Sequence, residues 1–156
     1  MSVRILLAVL GLCVATASHA DRGTLAVSAT VLSRSLCIIT GQRAMTLAFG
    51  AIDPSSTTSK TASVTTTIAC IGNQPATFSI TTDSGQHELG TGNFRMQNGA
   101  VATEFLPYSL SISPASATVP QFTNRLITIT GTIAPAQFQN VRFGSYADTV
   151  AITLNP

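Results

Sequence analysis

After its first twenty residues the chain carries short runs in which apolar and polar positions alternate, with no long segment of apolar residues at helical spacing. A strand sends successive side chains to opposite faces, so each run describes a ribbon with one apolar and one polar face. The first is TLAVSATV at residues 24–31, where Leu25, Val27, Ala29 and Val31 alternate with Thr24, Ala26, Ser28 and Thr30. Further strands are expected at 36–40, 45–49, 62–71, 76–82, 94–97, 106–112, 125–133 and 146–154, with Gly, Pro, Asn and Asp between them. Pro54 in GAIDPSS and Pro75 in IGNQP restrict the backbone and bring no amide hydrogen to a ladder, which marks both stretches as turns. Strands of this number and spacing predict an all-β sandwich of two antiparallel sheets in one domain. Periodicity alone leaves open whether the apolar face of 24–31 covers its own domain or another molecule.

The leading stretch, MSVRILLAVLGLCVATASHA, follows a different pattern. A lone Arg4 precedes an apolar run over 5–15, and small residues follow, with Ser18 and Ala20 three places and one place before a cleavage point. That is the form of a secretory signal peptide at 1–20. Its apolar run is well short of the roughly 20 residues a spanning helix needs. The mature chain is then expected to cover residues 21–156, a length that suits one core.

Cleavage changes what the composition implies. Cys13 and His19 leave with the leader, so Cys37 and Cys70 remain, and in an oxidising compartment an even pair reads as one disulfide. His87 is then the one histidine of the mature chain, too few ligands for a zinc or copper centre, and no metal or cofactor is expected. Seven basic residues face six acidic ones without a cluster of either sign, which excludes an electrostatic footprint for nucleic acid. Charged residues make up 9% of the chain, against about 25% in an average soluble domain. Ser and Thr take their place, so the surface is hydrophilic mainly through hydroxyl groups.

The stretch Asp83 to Glu88 holds the residue types of a serine hydrolase, with Ser84 and His87 between the acids. Triad members converge from separate parts of a chain, and no GxSxG elbow is present, so the stretch is read as a polar turn. Gly90 and Gly92 lack the third glycine and following helix of a dinucleotide loop. The acids Asp21, Asp53, Asp83, Glu88, Glu104 and Asp148 are scattered, and most aromatic residues sit within alternating runs, as core residues do. The protein is expected not to be an enzyme.

Several stretches occur in a telling order: Cys37, LAFG at 47–50, TASVTTTIAC ending at Cys70, ATFSITTDSG, FRMQNG, LPYSLSIS, ITGTIAP and GSYADTVAITLN. Together they resemble the spore coat protein U domain, the subunit domain of archaic chaperone-usher pili, over about residues 25–155. The resemblance implies an incomplete immunoglobulin-like β-sandwich completed by a donor strand. It divides the chain into a signal peptide at 1–20, an N-terminal donor-strand segment at 21–33 and a pilin-like domain at 34–156. Leu25, Val27, Ala29 and Val31 would enter a neighbouring subunit, Cys37 and Cys70 match the family's disulfide, and Val150, Ile152 and Leu154 lie on the strand bordering the receiving groove. The implied partners are neighbouring pilus subunits, a periplasmic chaperone and an outer-membrane usher, with export through the periplasm to the cell surface and fibres that serve adhesion and biofilm formation. Asn155 and Pro156 depart from the family, where many members end on an aromatic residue. A monomeric secreted β-sandwich that binds a sugar or receptor through its loops is the rival reading.

Overall fold

The computed structural model describes residues 26–31, 35–90 and 92–156. The expected signal peptide and Leu25 lie outside the described residues. The chain divides into two units, Met1–Val31 and Leu32–Pro156. Of the first, residues 26–31 are exposed and carry no strand assignment.

The second unit is built from β1 (Ser35–Ile39), β2 (Lys60–Gly72), β3 (Ala76–Thr82), β4 (Phe94–Asn98), β5 (Phe105–Ser113), β6 (Ser116–Val119), β7 (Thr123–Ile133), the one-turn helix α1 (Pro135–Phe138), β8 (Tyr146–Ala147) and β9 (Ile152–Asn155). Six strands form one sheet in the order β1-β2-β7-β5-β4-β8, and three form another in the order β6-β3-β9. Every pairing is antiparallel. The chain crosses repeatedly between the sheets, and the result is an immunoglobulin-like sandwich.

The alternation seen in the sequence explains the layering. In β2, Thr66, Ile68 and Cys70 are buried while Thr61, Ser63 and Thr65 face water. In β7, Ile127, Ile129 and Ile133 are buried with Gly131, and these two strands pair from Lys60↔Ile133 to Cys70↔Thr123. Their inner faces meet Ala76 and Phe78 of β3 and Val119 of β6, which makes a core of one sheet against the other. The outer hydroxyls pair across strands, Ser63 with Thr130 and Thr77 with Thr118, each at 2.9 Å. Such cross-strand pairs replace the ion pairs a charge-poor chain cannot make.

The other half of the large sheet is covered differently. Phe94, Leu106, Tyr108 and Ile133 form a second core with Phe138 of α1, and the covering residues Phe49, Ile52, Val141 and Val150 come from outside the three-stranded sheet. Residues 45–49 cross β7, close enough that a Cβ on Gly131 would sit 2.5 Å from Leu47 Cδ2 and 2.6 Å from Phe49 Cζ. Glycine at 131 is what lets this segment lie down on the sheet.

Two expected strands are corrected by this arrangement, and one strand is added to them. Residues 45–49 keep the alternation of a strand, with Met45, Leu47 and Phe49 half-buried and Thr46 and Ala48 exposed, but they belong to no sheet. The expected strand at 146–154 is broken into β8 and β9, because the chain leaves one sheet and joins the other between them. β6 was not expected; its four residues lie between Pro114 and Pro120 and offer too short an alternation to stand out.

The polar turn at 83–86 is pinned by its carboxylates. Asp83 Oδ1 accepts from the amides of Gly85 at 3.1 Å and Ala151 at 2.9 Å. Asp148 accepts from the Gln86 amide at 3.0 Å and from the Tyr108 hydroxyl at 2.8 Å. Gly85, at φ 80°, leaves room for this carboxylate, with which a Cβ would collide. The enzyme-like cluster thus serves to tie the turn to β5 and to the approach to β9.

Cys37 and Cys70 face each other in register on β1 and β2 and are joined by a disulfide, 33 residues apart in sequence. Closing a loop of that length stabilises a fold by about 3–4 kcal/mol on the chain-entropy model. Cys70→Ala is therefore expected to lower the urea-unfolding free energy by about 3 kcal/mol and to reduce the yield of folded exported protein; equal stability and yield would rule out this role.

Burial, followed by the hydrogen bond to Asp148, pushes the Tyr108 hydroxyl well above the usual tyrosine range. An unfolded tyrosine ionises near pH 10, so above that value the unfolded chain releases a proton that the fold retains. The contribution is complete below about pH 10 and declines above it. Wild-type stability should fall more steeply than that of Tyr108→Phe between about pH 9 and 11.5, as followed by chemical denaturation.

Candidate functional site

β9 lies at the edge of its sheet, and only one of its sides is paired, to β3 from Thr82↔Ile152 to Ser79↔Asn155. Across from it, the chain leaves β1 and stays near β2 for a few residues: the amides of Thr40 and Gly41 donate to the Thr67 carbonyl, and Thr66 Oγ1 donates to the Gln42 carbonyl. Beyond that point residues 43–52 make no backbone hydrogen bond to another described residue. Two rows of main-chain donors and acceptors therefore border a trough between these stretches.

The trough has two ends with different widths. At one, Met45, Ile68, Ile80, Ile127, Ile129, Ile152 and Leu154 close on a slot of about 10 Å³, room for a single water at most. At the other, Leu47, Phe49, Ile52, Met96, Leu106, Phe138, Val141 and Tyr146 line an open cavity of about 660 Å³. Chain at 47–54 and 138–146 walls the wide cavity, and Ile39 and Met45 with Ile152 and Leu154 wall the narrow slot. Arg142 stands at the wide end, where its carbonyl accepts from the Tyr146 hydroxyl at 2.6 Å.

An apolar floor flanked by free backbone groups suits an extended peptide. Aliphatic side chains at every second position would fill the floor, and the main chain between them would meet both walls. Asp83 and Asp148, beside the enzyme-like stretch, are engaged with loop amides and Tyr108.

Among the residues singled out from sequence, Ile152 and Leu154 line the narrow slot, whereas Val150, two positions earlier on the same side of the chain, packs into the second core. Val27 and Val31 are 85% and 82% exposed, and Ala29 between them is exposed as well. Met45, Leu47, Phe49 and Ile80 line the trough without having been singled out as site residues. Their alternation was visible, but alternation is the same for a strand inside a sheet and for one left beside an opening.

The chain is similar to one chain of a solved chaperone–tip adhesin complex of CFA/I fimbriae biogenesis, at 13% identity and a TM-score of 0.47, over 77% of this chain and 41% of that one. It thus spans less than half the length of that structural relative. No curated protein matches the sequence. The family model of the Spore Coat Protein U domain matches residues 21–153. This protein belongs to the Spore Coat Protein U domain family.

Proposed function

We propose that this protein is a non-enzymatic structural subunit of a secreted pilus or surface fibre that polymerises by donor-strand exchange. In this reading residues 21–33 are the donor segment of the mature chain and 34–156 the receiving domain. A periplasmic chaperone holds the trough until an outer-membrane usher replaces it with the segment of the next subunit. The fibre is carried at the cell surface, in adhesion and biofilm formation.

The observation that carries the reading is the apolar trough whose walls leave their backbone groups unpaired. Its dimensions support it. Residues 24–31 and the wall at 45–52 have equal length, and eight extended residues span roughly 25 Å. Burying Leu25, Val27 and Val31 with Ala29 contributes on the order of 5–9 kcal/mol before ordering costs, enough for a contact that persists. Repeated head to tail without closure, it generates a fibre.

Removing residues 21–32 from the mature chain is expected to abolish polymerisation while leaving a domain that a synthetic peptide of residues 24–31 stabilises against heat. A self-contained binding module would ignore the peptide. Val27→Asp in that peptide should weaken binding by on the order of a hundredfold or more, because it removes apolar burial and takes a charge into the floor. Gly131→Val should push Leu47 and Phe49 off β7 and lower peptide affinity by about tenfold, in line with an overpacking cost of 1–3 kcal/mol. Titration calorimetry reads both.

A further inference from the structure

The outward face of the large sheet is polar along most of its length, but not at the disulfide end. There Leu36 and Ile38 of β1, Ile71 of β2 and Leu126 of β7 are exposed. Leu36 stands opposite Ile71 and Ile38 opposite Ala69, so these side chains share one surface. The turn before β7 adds Phe122, which is 77% exposed and whose amide donates to the Cys70 carbonyl. Phe122 holds φ at 56°. A bulky side chain is an outlier in that left-handed region, where glycine or asparagine would sit without strain. An exposed aromatic kept in an unfavourable backbone conformation beside four exposed aliphatics points to a contact surface.

The length of the chain says what lies against it. Val31 is the last residue of the alternating run and Ser35 the first of β1, and the steps between them reach at most about 14 Å. A second copy that has taken up residues 24–31 is therefore held with its trough no farther than that from Ser35. Leu36 is the next residue, and Ile71 is its cross-strand neighbour. Resting on the donor-strand reading above, we infer that Leu36, Ile38, Ile71, Leu126 and Phe122 form a second interface, which docks the body of the copy that holds this chain's leading segment. The strand provides the link between subunits, and this patch sets the angle between them.

Footprinting with a diffusible carbene separates this from its rivals. In the domain lacking 21–32 and filled with the 24–31 peptide, Leu36 and Phe122 should label freely. In strand-linked dimers of the full mature chain they should be protected at least fivefold, and Leu36→Lys with Ile71→Lys should keep the linkage, and peptide uptake within twofold of wild type, yet give dimers with a larger radius of gyration. Phe122→Gly, which relieves the backbone, should melt no lower as the filled monomer and still lose protection at Leu36. Equal labelling of monomer and dimer, or unchanged dimer dimensions in both variants, overturns the inference while leaving strand exchange intact. Protection already present in the full-length monomer assigns the patch to the chain's own leading residues and likewise overturns it. Failure of the domain to take up the peptide removes the donor-strand reading itself, and this interface with it.

Discussion

Main-chain hydrogen bonding is the constraint on which the rest turns. The outer edge of β9 and residues 43–52 present donors and acceptors on either side of an apolar trough, narrow where Ile68, Ile127 and Ile129 line it. At the narrow end Ile68, Ile127 and Ile129 are already buried, whereas at the wide end the open cavity leaves its apolar lining wet at about 25 cal/mol per Å². Closing the walls on each other there would bury that lining but leave polar groups unpaired, at about 1–3 kcal/mol each. A β-ribbon resolves the conflict because it presents backbone to both sides and apolar side chains downward at every second residue. In the proposed assembly that ribbon is the leading segment of a neighbouring subunit.

The domain keeps its shape around this opening because its strongest pairing lies next to it. β2 and β7 are in register from Lys60 to Cys70, the disulfide ties β1 to the end of that pair, and the walls rest on its inner face. The edges are unguarded in a way that fits assembly. β1, β6, β8 and β9 read SLCII, SATV, YA and ITLN, with no charged residue in any of them. Proteins that must stay single commonly place lysine or another charge on such edges. A chain with 9% charged residues has not taken that protection.

Much of this was legible in the sequence. The long alternations at 62–71, 76–82 and 125–133 fall within β2, β3 and β7, because each strand has one face in the core and one in water, the condition under which period two is clearest. The disulfide was expected from sequence on the reading that residues 1–20 are removed, which leaves Cys37 and Cys70 as a pair. What sequence could not convey was pairing. Residues 45–49 and 146–154 show the same alternation as a sheet strand, yet the first joins no ladder and the second is divided between two sheets. Ladder membership depends on which backbone lies alongside, and side-chain periodicity carries no record of that. Apart from Ile152 and Leu154, the lining of the trough was not singled out for the same reason: Ile80 and Ile129 look like core residues whether or not a neighbour covers them. Phe122 gave no signal because its strain is a matter of φ, not of composition.

The two contacts argued for subunit assembly differ in kind, and the short tether explains why both are useful. Five exposed side chains make a patch smaller than the roughly 800 Å² per partner of a stable association, so free subunits have little reason to adhere through it. Once residues 24–31 occupy a neighbour, the short stretch from Val31 to Ser35 raises the local concentration of that neighbour to the millimolar range. A contact too weak to join two subunits can then orient two that are already joined. On the proposed assembly this division also limits premature aggregation, since the strong interface requires a free segment and an empty trough to meet, and the weak one has no effect until they have.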